Sequence, residues 1–223
     1  MPDFPFAIVL FDLDGTLVDS SLDLGPALNH ALALEDRAPL PLAEVRQVIG
    51  GGAVQMLEAG LEHSGGPVSP DRFRELKKAL LNHYWAHIAD NTCLFPGVAS
   101  ALDLLAAKGC KLAVCTNKFE EPARQLIEAL GITDRFCAIH GGDTFGRGKA
   151  KPEPDMLLAA IEDCGGGRAA MVGDSTYDVR AARNADCPVV TYRYGYHDVP
   201  MDELGGDVMI DHFDELVGAL EGL

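Results

Sequence analysis

A chain of 223 residues, 48% of them hydrophobic, is long enough to bury a sizeable core, and its formal net charge of −16 repels polyanions. Nucleic acid and anionic membrane surfaces are therefore not expected as partners. No stretch approaches the roughly 20 uninterrupted apolar residues of a membrane span, and the N-terminus lacks the pattern of a secretory signal, so a soluble, cytoplasmic protein is expected.

The first element is an apolar run, Phe6-Ala7-Ile8-Val9-Leu10-Phe11, stopped by the turn Asp12-Leu13-Asp14-Gly15-Thr16. Such a run reads as a parallel strand covered on both faces, and ligands in parallel sheets bind beyond the carboxyl ends of the strands. Two carboxylates at that tip could divide a reaction between them, one attacking and the other moving a proton. From about Ser20 to Asn91 the apolar residues recur by threes and fours through 22–34, 54–61 and 73–88, broken by Pro39, Pro41, Gly50-Gly51-Gly52 and Gly65-Gly66-Pro67. Beyond Pro96-Gly97, helix and strand alternate. Helices are expected at 98–108, 120–130, 153–164, 177–184 and 213–220, and strands at 111–115, 136–139, 169–172, 188–192 and 208–210.

The alternation predicts an α/β fold, a Rossmann-like parallel sheet with helices on both faces. Residues 1–19 and 92–223 would form this core, and 20–91 an inserted all-helical cap domain above the first strand end. The six cysteines, Cys93, Cys110, Cys115, Cys137, Cys164 and Cys187, lie in apolar surroundings without a Cys-x-x-Cys pair. Buried reduced thiols are expected rather than zinc or a disulfide scaffold.

Four polar clusters lie at predicted strand ends or helix starts: Asp12-Leu13-Asp14-Gly15-Thr16, Thr116-Asn117, Lys151-Pro152-Glu153-Pro154 and Gly173-Asp174-Ser175-Thr176-Tyr177-Asp178. Each has a plain alternative. The acidic turn could be an ordinary Asp-Gly turn, although Leu17 stands where a calcium loop of the EF-hand type would need glycine. Thr116-Asn117 could cap a helix, Lys151 could be solvated, and Asp174 and Asp178 could complement a helix dipole. In a parallel sheet, however, separate strand ends converge on one crevice, and the four clusters together make a phosphoryl-transfer inventory.

In their order and content these clusters resemble the four motifs of the haloacid dehalogenase superfamily of phosphatases, and the helical insert resembles the family's cap. The resemblance implies that Asp12 is the nucleophile of an aspartyl-phosphate route and that Asp14 protonates the leaving oxygen and then activates water. Asp12, Asp174 and the Asp14 backbone carbonyl would hold Mg2+, while Lys151 and Thr116 would steady the transferring oxygens. Asn117 would join them in binding substrate, and Asp178 and Ser175 would orient these groups from behind. Dehalogenation is disfavoured, because a carbon–halogen bond needs no proton donor at Asp14.

Arg46-Gln47-Val48-Ile49-Gly50-Gly51-Gly52 resembles the cap loop of phosphoglycolate phosphatases, with Arg46 and Gly51 as candidate substrate contacts. A plain loop with a solvated Arg46 is the alternative. The expected activity is Mg2+-dependent hydrolysis of a small phosphorylated metabolite, 2-phosphoglycolate first. Pyrophosphate or sugar-phosphate hydrolysis, a phosphomutase, or a phosphate-sensing protein without turnover are the rivals. Oligomeric state stays open.

Overall fold

The computed structural model describes residues 4–223. Strands β1 (Ile8–Phe11), β4 (Lys111–Cys115), β5 (Ala138–His140), β6 (Ala169–Gly173), β7 (Val189–Tyr192) and β8 (Val208–Ile210) form a parallel sheet in the order β5-β4-β1-β6-β7-β8. β1 lies centrally, with Phe11 in register with Val114 of β4 and Val172 of β6. Its alternation divides the core. Val9 and Phe11 join the cluster under α5 (Val98–Ala107), α6 (Glu120–Ala129) and α9 (Leu216–Glu221). Ile8 and Leu10 join the opposite cluster under α7 (Asp155–Asp163) and α8 (Thr176–Asn184). Both faces of the sheet are covered, which is why the strand reads as a continuous apolar run.

After β1 the chain makes a short antiparallel ribbon, β2 (Val18–Asp19) with β3 (Cys93–Leu94). Between these strands run α1 (Ser21–Ala33), α2 (Leu42–Val48), α3 (Ala53–His63) and α4 (Pro70–Ala86), the helical cap. The cap has its own apolar cluster, with Leu28, Leu32, Leu57, Leu61, Leu76 and Leu80 at its centre. Asp23 of α1 accepts hydrogen bonds from the Thr92 backbone N–H (2.8 Å) and hydroxyl (2.6 Å), tying the two ends of the insert together. Among the described residues, no helix is long and apolar enough to cross a membrane.

Two expectations fail here. The loop expected around Arg46 is partly helix, because Val45 and Val48 turn inward on the single short helix α2. The six cysteines are not all buried thiols: Cys137 and Cys164 form a disulfide and Cys93 is exposed. The entry to β5 and the end of α7 bring the paired Cα atoms to 5.8 Å, within disulfide range, across a separation of 27 residues. Cys110, Cys115 and Cys187 are buried and free as expected.

Candidate active site

The carboxyl ends of β1, β4 and β6 meet beneath the cap. At the tip of β1, Asp12 and Asp14 are both buried. Gly15 adopts φ +88°, and a Cβ there would lie 2.3 Å from the Asp174 carboxylate, so glycine is needed both for the turn and for the approach of Asp174. Thr16 donates its hydroxyl to Asp174 Oδ1 at 2.6 Å, and the Tyr196 backbone N–H donates to Asp174 Oδ2. The turn at β1 thus orients the carboxylate at the end of β6.

Lys151 is buried between two carboxylates, 2.8 Å from Asp12 and 2.6 Å from Asp178. Burial opposes its charge, but Asp12 and Asp178 more than compensate and raise its pKa above the ordinary lysine value. Asp178 is fully committed: its Oδ2 accepts from the Asp174 and Ser175 backbone N–H groups and the Ser175 hydroxyl, at 3.1, 3.0 and 2.7 Å. Ser175 and Asp178 form a capping box at the start of α8, so one device begins the helix and positions Lys151. The peptide bond between Lys151 and Pro152 is cis. Asn117 donates its side-chain amide to the Lys151 carbonyl at 3.1 Å, which ties the loop carrying Lys151 to the end of β4.

Asp12, Asp174 and Asp178 can each offer an oxygen within 4.8 Å of the others, all buried. Burial pushes the Asp12 carboxyl up to about 6, against the pull of Lys151, with the nearby Asp178 charge adding to the rise. Burial and then Asp178 and Asp12 raise Asp174 well above the usual carboxylate range. These shifts mark a cluster short of positive charge, and its hard oxygen donors suit a divalent cation. Asp178 already takes the Lys151 ammonium and three further donors, whereas Asp174 takes two neutral donors and Asp12 pairs with Lys151 alone, which leaves Asp12 and Asp174 more capacity for an ion.

Asp14 accepts from the Ser20 hydroxyl at 2.6 Å and from the Lys118 ammonium at 2.7 Å. Lys118 was not singled out by its sequence context, although a cation directly after Thr116-Asn117 was the available signal. Burial opposes its charge, but Asp14 more than compensates and raises its pKa above the ordinary lysine value. Its ammonium lies 4.3 Å from the centre of the Tyr84 ring. Burial pushes the Tyr84 phenol up to about 12, keeping it a neutral hydroxyl near neutral pH.

Core and cap enclose a cavity of about 50 Å³ lined by Asp12, Asp14, Thr116 and Lys118 below and by Ile49, Met56, Leu80 and Tyr84 above. The Thr116 hydroxyl accepts the Lys118 backbone N–H at 3.2 Å, leaving its own hydrogen for the cavity. Gly50 and Gly52 also line it, whereas Gly51 does not. Gly52, at φ +90°, brings the cap loop so near the core that a Cβ would lie 2.9 Å from the Asn117 carbonyl. The structure does not bring Arg46 to this cavity. Its guanidinium pairs with Asp19 at 2.6 Å and reaches the Ser21 hydroxyl at 3.1 Å, at the base of the cap.

A phosphoglycolate phosphatase of Caulobacter vibrioides is 40% identical over 213 residues, covering 95% of this chain and 89% of that protein. One of Agrobacterium fabrum is 41% identical, covering 96% and 91%. The crystal structure of a predicted phosphoglycolate phosphatase from Haemophilus somnus superposes with a TM-score of 0.89 at 29% identity, covering 96% of this chain and 98% of that one. Residues 6–186 match the model of the haloacid dehalogenase-like hydrolases, and the chain belongs to that family.

Proposed function

We propose that this chain hydrolyses a small phosphate monoester, 2-phosphoglycolate first among them, through an aspartyl-phosphate on Asp12. The observation that carries the reading is the separate pairing of the two carboxylates at the tip of β1. Asp12 pairs with Lys151 at 2.8 Å, while Asp14 pairs with Lys118 at 2.7 Å, and both carboxylates line the same cavity. One carboxylate is thereby held as an attacking anion beside a fixed cation, and its neighbour stands where a leaving oxygen would need a proton. A protein that only senses phosphate has no use for that second carboxylate.

In this mechanism Lys151 orients Asp12 and offsets charge on the transferring oxygens, and the free hydrogen of Thr116 meets one of them. Asp14 delivers a proton to the leaving oxygen and takes one from the incoming water. Asp12 and Asp174, with the backbone carbonyl of Asp14, would hold Mg2+, which when bound supplies the positive charge that lets an anionic phosphoryl group approach two carboxylates. The names of the relatives support phosphoglycolate. The apolar cap wall of Leu24, Ile49, Met56 and Leu80 supports it over a sugar phosphate, most of whose hydroxyls would lie against side chains without polar atoms. Neither lysine of α4, Lys77 or Lys78, lines the cavity, which leaves a phosphonate cleavage that depends on a cap lysine without that residue.

A panel of phosphate esters assayed with Mg2+ tests the reading. Phosphoglycolate should be turned over with the highest kcat/KM, ahead of glucose 6-phosphate and pyrophosphate. A sugar phosphate or pyrophosphate in first place overturns the choice of substrate.

A further inference from the structure

The cavity contains a cation and a hydroxyl that the phosphoryl-transfer chemistry leaves unused. Lys151 is occupied by Asp12 and Asp178, but Lys118 makes only one ion pair, to Asp14, although an ammonium carries three donors. Its side chain is 6% exposed, so bulk water does not satisfy the others. The Tyr84 residue is 2% exposed, its hydroxyl has no hydrogen-bond partner, and it lines the same cavity. A buried hydroxyl without a partner in the protein, beside a buried ammonium with donors to spare, offers two hydrogen-bond donors to an anion. The surrounding Leu24, Ile49, Met56, Leu80 and Leu81 offer nothing else polar.

The position of this pair relative to the reaction identifies the anion. Asp14 must touch the leaving oxygen to protonate it, and Lys118 sits 2.7 Å from Asp14. A carboxylate one carbon removed from the ester oxygen therefore falls within reach of the Lys118 ammonium when the ester oxygen is at Asp14. The geometry points to Lys118 and Tyr84 as the specificity-determining pair of this enzyme, a receptor in which the ammonium and the phenol hydroxyl together grip the carboxylate of a 2-phosphooxy acid. The inference rests on the phosphatase reading given above and adds the residues that choose the leaving group. It assigns that choice to α4 of the cap and to the residue after Asn117, and not to Arg46, which is bound to Asp19.

The test compares 2-phosphoglycolate with ethyl phosphate, an ester of similar size without a carboxylate. Wild-type enzyme should prefer phosphoglycolate in kcat/KM, and Lys118→Met should shrink that preference on the order of 100-fold, the scale of a lost charged hydrogen bond. Tyr84→Phe leaves the Lys118–Asp14 pair in place and should shrink the preference about 3- to 10-fold, chiefly through KM for phosphoglycolate. Because the preference is a ratio, a general loss of activity through Asp14 cancels. Equal losses on both esters in both variants would overturn the receptor and leave Lys118 as a positioning residue for Asp14. A wild type that hydrolyses both esters without preference also overturns it while sparing the phosphatase reading. A wild type that hydrolyses neither, nor any other phosphate ester, overturns the phosphatase reading itself. If Lys118→Met does not fold, Tyr84→Phe decides alone.

Discussion

Asp178→Asn is the most discriminating single change in the core of the site, because Asp178 touches neither substrate nor solvent. It is fully buried, and its two oxygens serve different masters: Oδ1 takes the Lys151 ammonium at 2.6 Å and Oδ2 takes three donors at the start of α8. An asparagine has one acceptor end and one donor end, so in either orientation its NH2 group faces another donor. Breaking one side of a buried pair costs about 3–5 kcal/mol. Two features reduce the loss. Lys151 keeps Asp12 at 2.8 Å, and Asp12 and Asp174 are relieved of a neighbouring charge that helps push both upward. The net expectation is a destabilisation of about 2–4 kcal/mol, or roughly 5–15 °C in Tm for a chain of this size. The cap and core need not unfold together, so two probes are required. The single tryptophan, Trp85, lies on α4 and reports the cap, while far-UV circular dichroism in urea reports the whole chain. The circular dichroism midpoint should fall more than that of Trp85 fluorescence, and kcat/KM should fall about 10- to 100-fold as Lys151 loses its anchor. A variant whose stability lies within about 1 kcal/mol of wild type would refute the argument that Asp178 holds Lys151 in place.

Asp12→Asn should abolish hydrolysis with an unchanged circular dichroism spectrum, and near-normal turnover in that variant removes Asp12 as the nucleophile. EDTA should silence the enzyme and Mg2+ restore it; activity indifferent to chelation would remove the metal from the mechanism. Without metal, Asp12 titrates at about 6 and Asp174 is raised as well, so a cation must displace protons to bind; Mg2+ affinity by calorimetry should weaken as pH falls through about 6, and a flat affinity from about pH 5 to about pH 8 would contradict this. Gly52→Ala should raise KM several-fold, because its positive-φ extended backbone costs about 1–3 kcal/mol with a Cβ and that Cβ would press on the Asn117 carbonyl; an unchanged KM would show that the loop does not need this approach.

The parts of the molecule that were legible from sequence are those where one physical signal dominates. β1 is a run buried on both faces, and the residues that follow β1, β4 and β6 are polar for no reason of packing, so the sequence itself marks a crevice at the strand ends. Short elements were not legible. α2 is seven residues long with only Val45 and Val48 buried, too little to show a period, and the ribbon of β2 and β3 has two residues on each side. The disulfide escaped for another reason: 27 residues separate Cys137 from Cys164, and only the packing of α7 beside β5 brings them together. Tyr84 falls four residues after Leu80 and eight after Leu76, so by spacing it reads as one more member of an apolar stripe. Lys118 was visible as a residue but not as a contact, since its partner Asp14 lies 104 positions earlier in the chain.

The charges in the site bear on where a divalent cation would fit. Four carboxylates, Asp12, Asp14, Asp174 and Asp178, share two ammonium groups, Lys118 and Lys151. Lys151 is divided between Asp12 and Asp178, and Lys118 is held by Asp14. Among the described residues, no lysine or arginine pairs with Asp174, whose oxygens have only the Thr16 hydroxyl and the Tyr196 backbone N–H. The carboxylate without a cationic partner is therefore Asp174, which can offer an oxygen within 4.8 Å of Asp12. A divalent cation bound there would balance the two excess negative charges without disturbing the Lys118–Asp14 pair. In the proposed mechanism the nucleophile Asp12 and the proton donor Asp14, two residues apart on one turn, would thus work in different electrostatic surroundings, one set by Lys151 and a bound cation, the other by Lys118.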